Sequence, residues 1–274
     1  MDRAAATVLS AMGEALEVVI PVECAVCRAP AATLCAPCRR LLSRTTVHPR
    51  RVEHHARHTQ GLPIVAAGRY EHELATCLLA FKQAGRTDLT TTLSSVLARA
   101  LRAAIGSDPS GGAFQPVELV PVPSSATALR RRWFDPVKVL LGAVDVEATV
   151  NPDVHCVPWL AHTSCDPGGS LRSLAGRVRT AGGGQAQKFK TADQRAVTGK
   201  PPFRVVQGRG DRSAGRRRPT RVILVDDVVT TGATLNRARR TLEEAGATVL
   251  GAVVLAAANT PTLEVTGAAS QKSV

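Results

Sequence analysis

Aromatic residues are scarce in this sequence, with two Trp, one Tyr and five Phe. A protein that grips single-stranded nucleic acid on a row of stacked rings needs more than that. Acidic residues are also short, 22 against 35 basic ones, which leaves a formal net charge of +13. That imbalance suits an anionic partner: nucleic acid, a phosphorylated metabolite or a membrane surface. Surface charge that serves only solubility is the competing explanation. No apolar run reaches the length of a membrane span. The N-terminal stretch is interrupted by Glu14 and Glu17, so it lacks the apolar core of a signal peptide. The expectation is a cytoplasmic protein with no membrane span. There is no internal repeat and no GxxxxGK[ST] phosphate loop. The 274 residues leave room for one large domain and a small one.

The chain is organised around residues 221–235. Val222 to Val225 are four consecutive apolar β-formers, the pattern of a strand buried on both faces. Asp226 and Asp227 follow, then Thr230, Thr231, Gly232, Ala233 and Thr234. Leu235 to Ala245 reads as a helix with Gly246 as its stop. A turn between a buried strand and a helix offers backbone N–H groups and the positive end of the helix dipole, where phosphate binds. The Thr hydroxyls add donors, and Gly232 permits close approach. Ionised carboxylates only accept hydrogen bonds, so the Asp pair suits vicinal hydroxyls or a metal. Phosphate donors beside hydroxyl acceptors match a ribose 5-phosphate. The plainer alternative is a turn in which Asp and Thr merely cap the helix.

Two CxxC pairs stand near the N-terminus: Cys24 with Cys27, and Cys35 with Cys38. Four thiolates at this spacing can converge on one tetrahedral Zn2+, leaving no open position, so the site is structural. A redox pair or chance spacing is the alternative. Cys77, Cys156 and Cys165 show no such pattern.

The rest of the chain alternates strands and helices. Residues 4–20 carry apolar positions at helical spacing, and residues 39–58 are basic and rich in His, as a solvated linker or a phosphate-facing arm would be. Ile64–Ala67 reads as a strand, Tyr70–Phe81 as a helix, and Asp88 as the cap of a helix running to Ala104. After a loop to Pro116, a strand from Val117 enters the stiff segment Pro121–Ser125. Asp135 and Pro136 open a helix to Val144. His155–Leu160 and Phe203–Val206 are further strands, separated by a long loop over 161–200. Residues 195–221 hold nine Lys or Arg and one acid. Thr248–Ala256 is another buried strand, and the tail after it is small and polar. The fold class is therefore α/β, a parallel sheet flanked by helices, with a small N-terminal zinc-binding segment. The expected division is 1–60 for the N-terminal helix and four-cysteine segment, 61–258 for the main domain and 259–274 for a flexible tail. Ligands of such sheets bind at the carboxyl ends of the strands, where Val120–Ser125 and Asp226–Thr234 would both sit.

The run Asp226-Asp227-Val228-Val229-Thr230-Thr231-Gly232-Ala233-Thr234 resembles the phosphoribosyl pyrophosphate (PRPP) loop of type I phosphoribosyltransferases. The wider arrangement is similar to the ComF family of competence-associated proteins. The matching pieces are the four cysteines, Phe81-Lys82, Val120–Pro123, Arg132–Asp135, Gln187-Lys188 with Arg195, and the central loop. The chain departs from that family at Trp133, where glycine is usual, and in the segment after Gln187, where Arg195 is present but the usual Asn is missing.

The resemblance implies that Asp226 and Asp227 contact the ribose hydroxyls and act in catalysis. It implies that Thr230, Thr231, Gly232, Ala233 and Thr234 hold the 5-phosphate, and that Pro123, Ser124 and Lys82 lie near the pyrophosphate. Mg2+ would accompany PRPP. Three functions remain open: phosphoribosyl transfer to an unknown acceptor, PRPP or nucleotide binding without turnover, and a single-stranded-DNA accessory working with DNA-uptake proteins.

Overall fold

The structure is a computed structural model, and it describes residues 22–53, 56, 58–59, 61–106, 116–146, 150–163, 202–206 and 220–258. The helix expected over 4–20, most of the 161–200 loop, Gln187, Lys188, Arg195, most of the basic 195–221 block and the 259–274 tail lie outside these residues.

Among the described residues the helices are α1 (Ala36–Thr46), α2 (His72–Gln83), α3 (Thr90–Ile105), α4 (Ala126–Arg132), α5 (Pro136–Gly142) and α6 (Ala233–Glu244). The strands are β1 (Arg50–Arg51), β2 (Ile64–Arg69), β3 (Val117–Pro121), β4 (Val154–Cys156), β5 (Leu160–His162), β6 (Phe203–Val205), β7 (Arg221–Val229) and β8 (Thr248–Ala257). Six of the strands form one sheet in the order β1-β2-β8-β7-β3-β4. All neighbours in it are parallel except β1, which runs antiparallel to β2. β5 and β6 form a separate antiparallel pair. Parallel strands with helical crossovers must be covered on both faces, and the alternation along β7 meets that need. Ile223 and Val225 join the apolar cluster containing α2, α3 and α5, whereas Val222 and Leu224 join the one containing α6. The expected α/β sheet is therefore present.

Several boundaries differ from those expected. β7 does not stop before the acidic pair but runs through it to Val229. Asp226 and Val228 remain paired with Val254 and Ala256 of the apolar strand β8, and this pairing overrides the poor strand propensity of Asp. α6 begins at Ala233, not Leu235. His155–Leu160 is not one strand: β4 ends at Cys156 and β5 starts at Leu160, since Pro158 between them has no N–H to give a ladder. Asp88 does not cap α3. It lies in the short turn Thr87–Leu89 and accepts from Arg86 Nη2 at 2.7 Å, which holds its carboxyl below the usual range. Arg50 and Arg51, expected in a solvated linker or phosphate-facing arm, pair with Ala66 and Val65 at the sheet edge.

The cysteine segment packs into the main core. Cys24, Leu34, Cys38 and Leu42 share an apolar cluster with Cys77, Leu78 and Phe81 of α2. Arg99 of α3 donates through Nη2 to Thr46 Oγ1 at 2.9 Å, which ties the end of α1 to the same layer.

Trp133 ends α4 with a left-handed φ of 65°, and the residue is 92% exposed. Glycine adopts that conformation at no steric cost, so a glycine here would relieve the backbone. The neighbours of Trp133 hold it firmly. Phe134 meets Phe81 edge to face at 5.3 Å, and Asp135 caps α5 by accepting from the N–H groups of Val137 and Lys138.

Candidate functional site

β3 and β7 lie side by side and parallel, with Pro121 opposite Val225. Their carboxyl ends open together. Beyond β3, Val122 N still donates to Val225 O at 2.8 Å, so the Pro123–Ser125 segment leaves the sheet beside the acidic pair. Ser125 then caps α4, its hydroxyl accepting from Ala128 N. Asp135 Oδ2 accepts from Ser124 N at 3.2 Å and holds this segment from the far side.

Asp226 and Asp227 are both half-buried. Asp227, in step with Ile223 and Val225, falls on the face that α2 covers. There Lys82 Nζ meets its Oδ2 at 2.7 Å, the two side chains being only 15% and 16% exposed. Asp226, in step with Val222 and Leu224, accepts from the N–H of Asp227 through Oδ1 at 2.8 Å. Burial pushes the Asp226 carboxyl well above its ordinary range, and the adjacent Asp227 charge pushes the same way. The N–H of Asp227 and the more distant Lys82 oppose the shift, while Asp135 adds to it.

This shift makes stability depend on pH. A carboxyl whose folded-state value is raised contributes stability that is fully present below its unfolded value, near 4, and is lost as pH rises through the raised value. Asn at this position is neutral at every pH and keeps the acceptor for the Asp227 N–H. Asp226→Asn should therefore melt above the wild type at pH 8, with the gap closing towards pH 4. Melting curves that keep a constant offset across that range would rule out strain at Asp226.

The turn after β7 carries Thr230, exposed, Thr231, half-buried, and Gly232, buried. Thr231 Oγ1 accepts from Ala233 N at 3.5 Å, and Thr234 is exposed in the first turn of α6. Gly232 is the N-cap of α6 with φ 78°. The acidic pair, lying within the strand, does not cap this helix. A third segment covers the turn. His58 N donates to Thr231 O at 3.0 Å, and a Cβ added to Gly232 would run into Thr59 Cγ2. Gly232→Ala should thus suffer both left-handed strand-to-helix geometry and a steric clash. The expected cost is about 2–4 kcal/mol, read as a lower denaturant midpoint at unchanged slope. A midpoint equal to the wild type would mean that the Thr59 segment yields freely.

The other candidate centre is the cysteine cluster. The sulfur atoms of Cys24, Cys27, Cys35 and Cys38 all lie within 4.8 Å of one another. Tetrahedral Zn2+ with bonds of about 2.3 Å needs sulfurs about 3.8 Å apart, so the cluster can hold a metal such as zinc. Each pair sits on a defined support. Arg28 N donates back to Cys24 O in a tight knuckle, and Cys35 is the N-cap of α1, with Cys38 in its first turn. Burial works against a thiolate at Cys24, but backbone N–H groups outweigh it and bring its pKa to about 6. Burial pushes Cys38 strongly the other way.

The structure thus brings Asp226, Asp227, Thr230, Thr231, Gly232, Ala233, Thr234, Pro123, Ser124 and Lys82 to one edge of the sheet. Sequence reasoning missed three supports. Asp135 was legible as a helix cap but not as the acceptor for Ser124. The Lys82–Asp227 pair had no local signal, and neither did the contact of Thr59 with Gly232.

The mostly parallel, helix-flanked sheet agrees with a phosphoribosyltransferase fold. A family model described as the phosphoribosyl transferase domain matches residues 177–271, about a third of the chain. Among solved structures, the chain is similar to a hypoxanthine phosphoribosyltransferase from Staphylococcus aureus, at 13% identity and a TM-score of 0.28. That match covers 61% of this chain and 64% of the other. No curated protein matches.

Proposed function

We propose that this chain binds PRPP at the edge formed by β3 and β7 and transfers its phosphoribosyl group to an acceptor nucleophile, as a protein of the ComF kind. The observation that carries this reading is the joint placement of the acidic pair, the Thr-Gly turn and the Pro123–Ser125 segment on two adjacent parallel strands. In this reading the amides of the turn and the hydroxyls of Thr230, Thr231 and Thr234 hold the 5-phosphate. Asp226 and Asp227 accept from the ribose hydroxyls, and the Pro123–Ser125 segment faces the pyrophosphate. The carboxylate oxygens of the pair also suit Mg2+, a hard cation that takes oxygen ligands. When bound, that ion would offset the charge gathering on departing pyrophosphate. The carboxylates would favour the positive charge that builds on the ribose as the bond breaks.

The four-cysteine cluster, as a structural zinc site, supports the ComF form of the reading over a plain phosphoribosyltransferase. A cytoplasmic location belongs to the same reading, since reduced cysteines persist there. Calorimetric titration with PRPP and Mg2+ tests the binding step, and pyrophosphate release with a panel of bases tests turnover. Folded protein that takes up no PRPP refutes the proposal, whereas binding without release under any acceptor leaves a binding protein.

The net charge of +13 favours a second activity, the binding of single-stranded DNA in DNA uptake. Phosphate contacts would dominate, so affinity should fall steeply with added salt. It should also survive substitution of the acidic pair. Binding that ignores salt, or none at low salt, would dismiss this second activity.

A further inference from the structure

Lys82 occupies a particular position in this site. Its backbone is fixed near the end of α2, where the preceding Phe81 is fully buried and meets Phe134 edge to face. Its ammonium sits on Asp227 at 2.7 Å in surroundings largely shielded from water. The backbone at Asp227 cannot follow a moving partner, because β7 stays paired with β8 on through Val229. Lys82 can move, since a four-carbon stem carries three rotatable donors. The pyrophosphate-facing segment leaves the sheet from β3, the strand next to the one that bears Asp227.

We propose that Lys82 and a divalent cation compete for Asp227, and that a pyrophosphate-bearing ligand relieves the competition by drawing the ammonium to its own oxygens. The inference rests on the acidic pair being the ribose and metal ligands. A cation approaching Asp227 must displace Lys82 or sit beside a like charge, and at low dielectric that repulsion is strong. A polyanion changes the balance, because it offers the ammonium a second partner. Lys82 is then a binding residue that couples the two ligands. Linkage requires the coupling to be reciprocal: pyrophosphate tightens the metal as much as the metal tightens pyrophosphate.

The test uses the full zinc-loaded chain with Mn2+ alone and inorganic pyrophosphate alone as probes. Lys82→Met should bind Mn2+ about ten- to a hundredfold more tightly than the wild type, the range set by loss of one charge-assisted hydrogen bond. It should bind pyrophosphate more weakly by a similar factor. Lys82→Arg, which keeps the charge, should stay near the wild type in both titrations. Asp226→Asn with Asp227→Asn gives the background from other Mn2+ sites. If Lys82→Met fails to fold, the same two titrations on Lys82→Gln decide. Equal Mn2+ affinity in the folded neutral variant and the wild type overturns the proposal. So does an unchanged pyrophosphate affinity. A purely structural ion pair would lower the melting temperature without these opposite shifts. The Mn2+ arm uses no PRPP, so its outcome is separate from whether the wild type takes up PRPP with Mg2+. Failure of PRPP uptake counts against the function, and failure of the Mn2+ shift counts against Lys82.

Discussion

Replacing Asp226 and Asp227 together by asparagine is expected to remove PRPP binding, with a loss above a hundredfold, while the sheet stays folded. Asparagine keeps the size of each side chain but removes the charge, and its amide presents donors to hydroxyls that need acceptors. One lost charge-assisted hydrogen bond costs about 1.5–3 kcal/mol, or roughly ten- to a hundredfold in affinity. Two such losses, with the metal ligands gone as well, should exceed that. The fold should survive because Asp226 and Val228, on either side of Asp227, are paired with Val254 and Ala256 of β8. Relief of burial at Asp226 works in favour of the variant, while loss of a partner for Lys82 works against it. Titration of both proteins with PRPP and Mg2+ decides the matter. Equal binding by a folded double variant would leave the Thr-Gly turn alone as the ligand site.

The parts of this site legible in the sequence are those written by adjacent residues. Val222–Val225 could be read as a doubly buried strand because its apolar run is unbroken, and the cysteines because CxxC spacing is itself the geometry of a knuckle. The reach of β7 through Asp226 and Asp227 was not legible. Local propensity ends a strand at two carboxylates, but ladder pairing with β8 continues it. The pairing also explains how the two carboxylates come to serve different faces, one towards Lys82 and one away from it. Contacts made across the chain leave no local trace. Thr59 closes on Gly232 and Lys82 reaches Asp227 only because the topology brings β2, β8 and β7 together in that order. Asp135 lies between these cases. The Pro after it marks a helix start, whereas its bond to Ser124 depends on how α4 folds back.

Removal of the metal from the cysteine cluster should lower the stability of the whole described fold, not only of its N-terminal segment. Taken as a sequence, residues 22–46 have too little apolar mass for a core of their own, which suggests a segment that could melt alone. The packing excludes that independence. Cys24 and Cys38 are 1% and 6% exposed and lie in one apolar cluster with Cys77, Leu78 and Phe81. Zinc bound by four thiolates contributes about 10–16 kcal/mol in small zinc domains, comparable with the entire net stability of an ordinary domain. Chelation at neutral pH, or Cys38→Ser, should therefore give a single unfolding transition at a much lower temperature. PRPP affinity should fall with it, because the helix packed on the cluster also carries Lys82. Metal analysis of protein purified under reducing, zinc-replete conditions should find one zinc per chain. A content near zero, or a chelated protein with the midpoint of the untreated one, would mean that the four sulfurs gather without a metal and that the apolar cluster alone holds the segment in place.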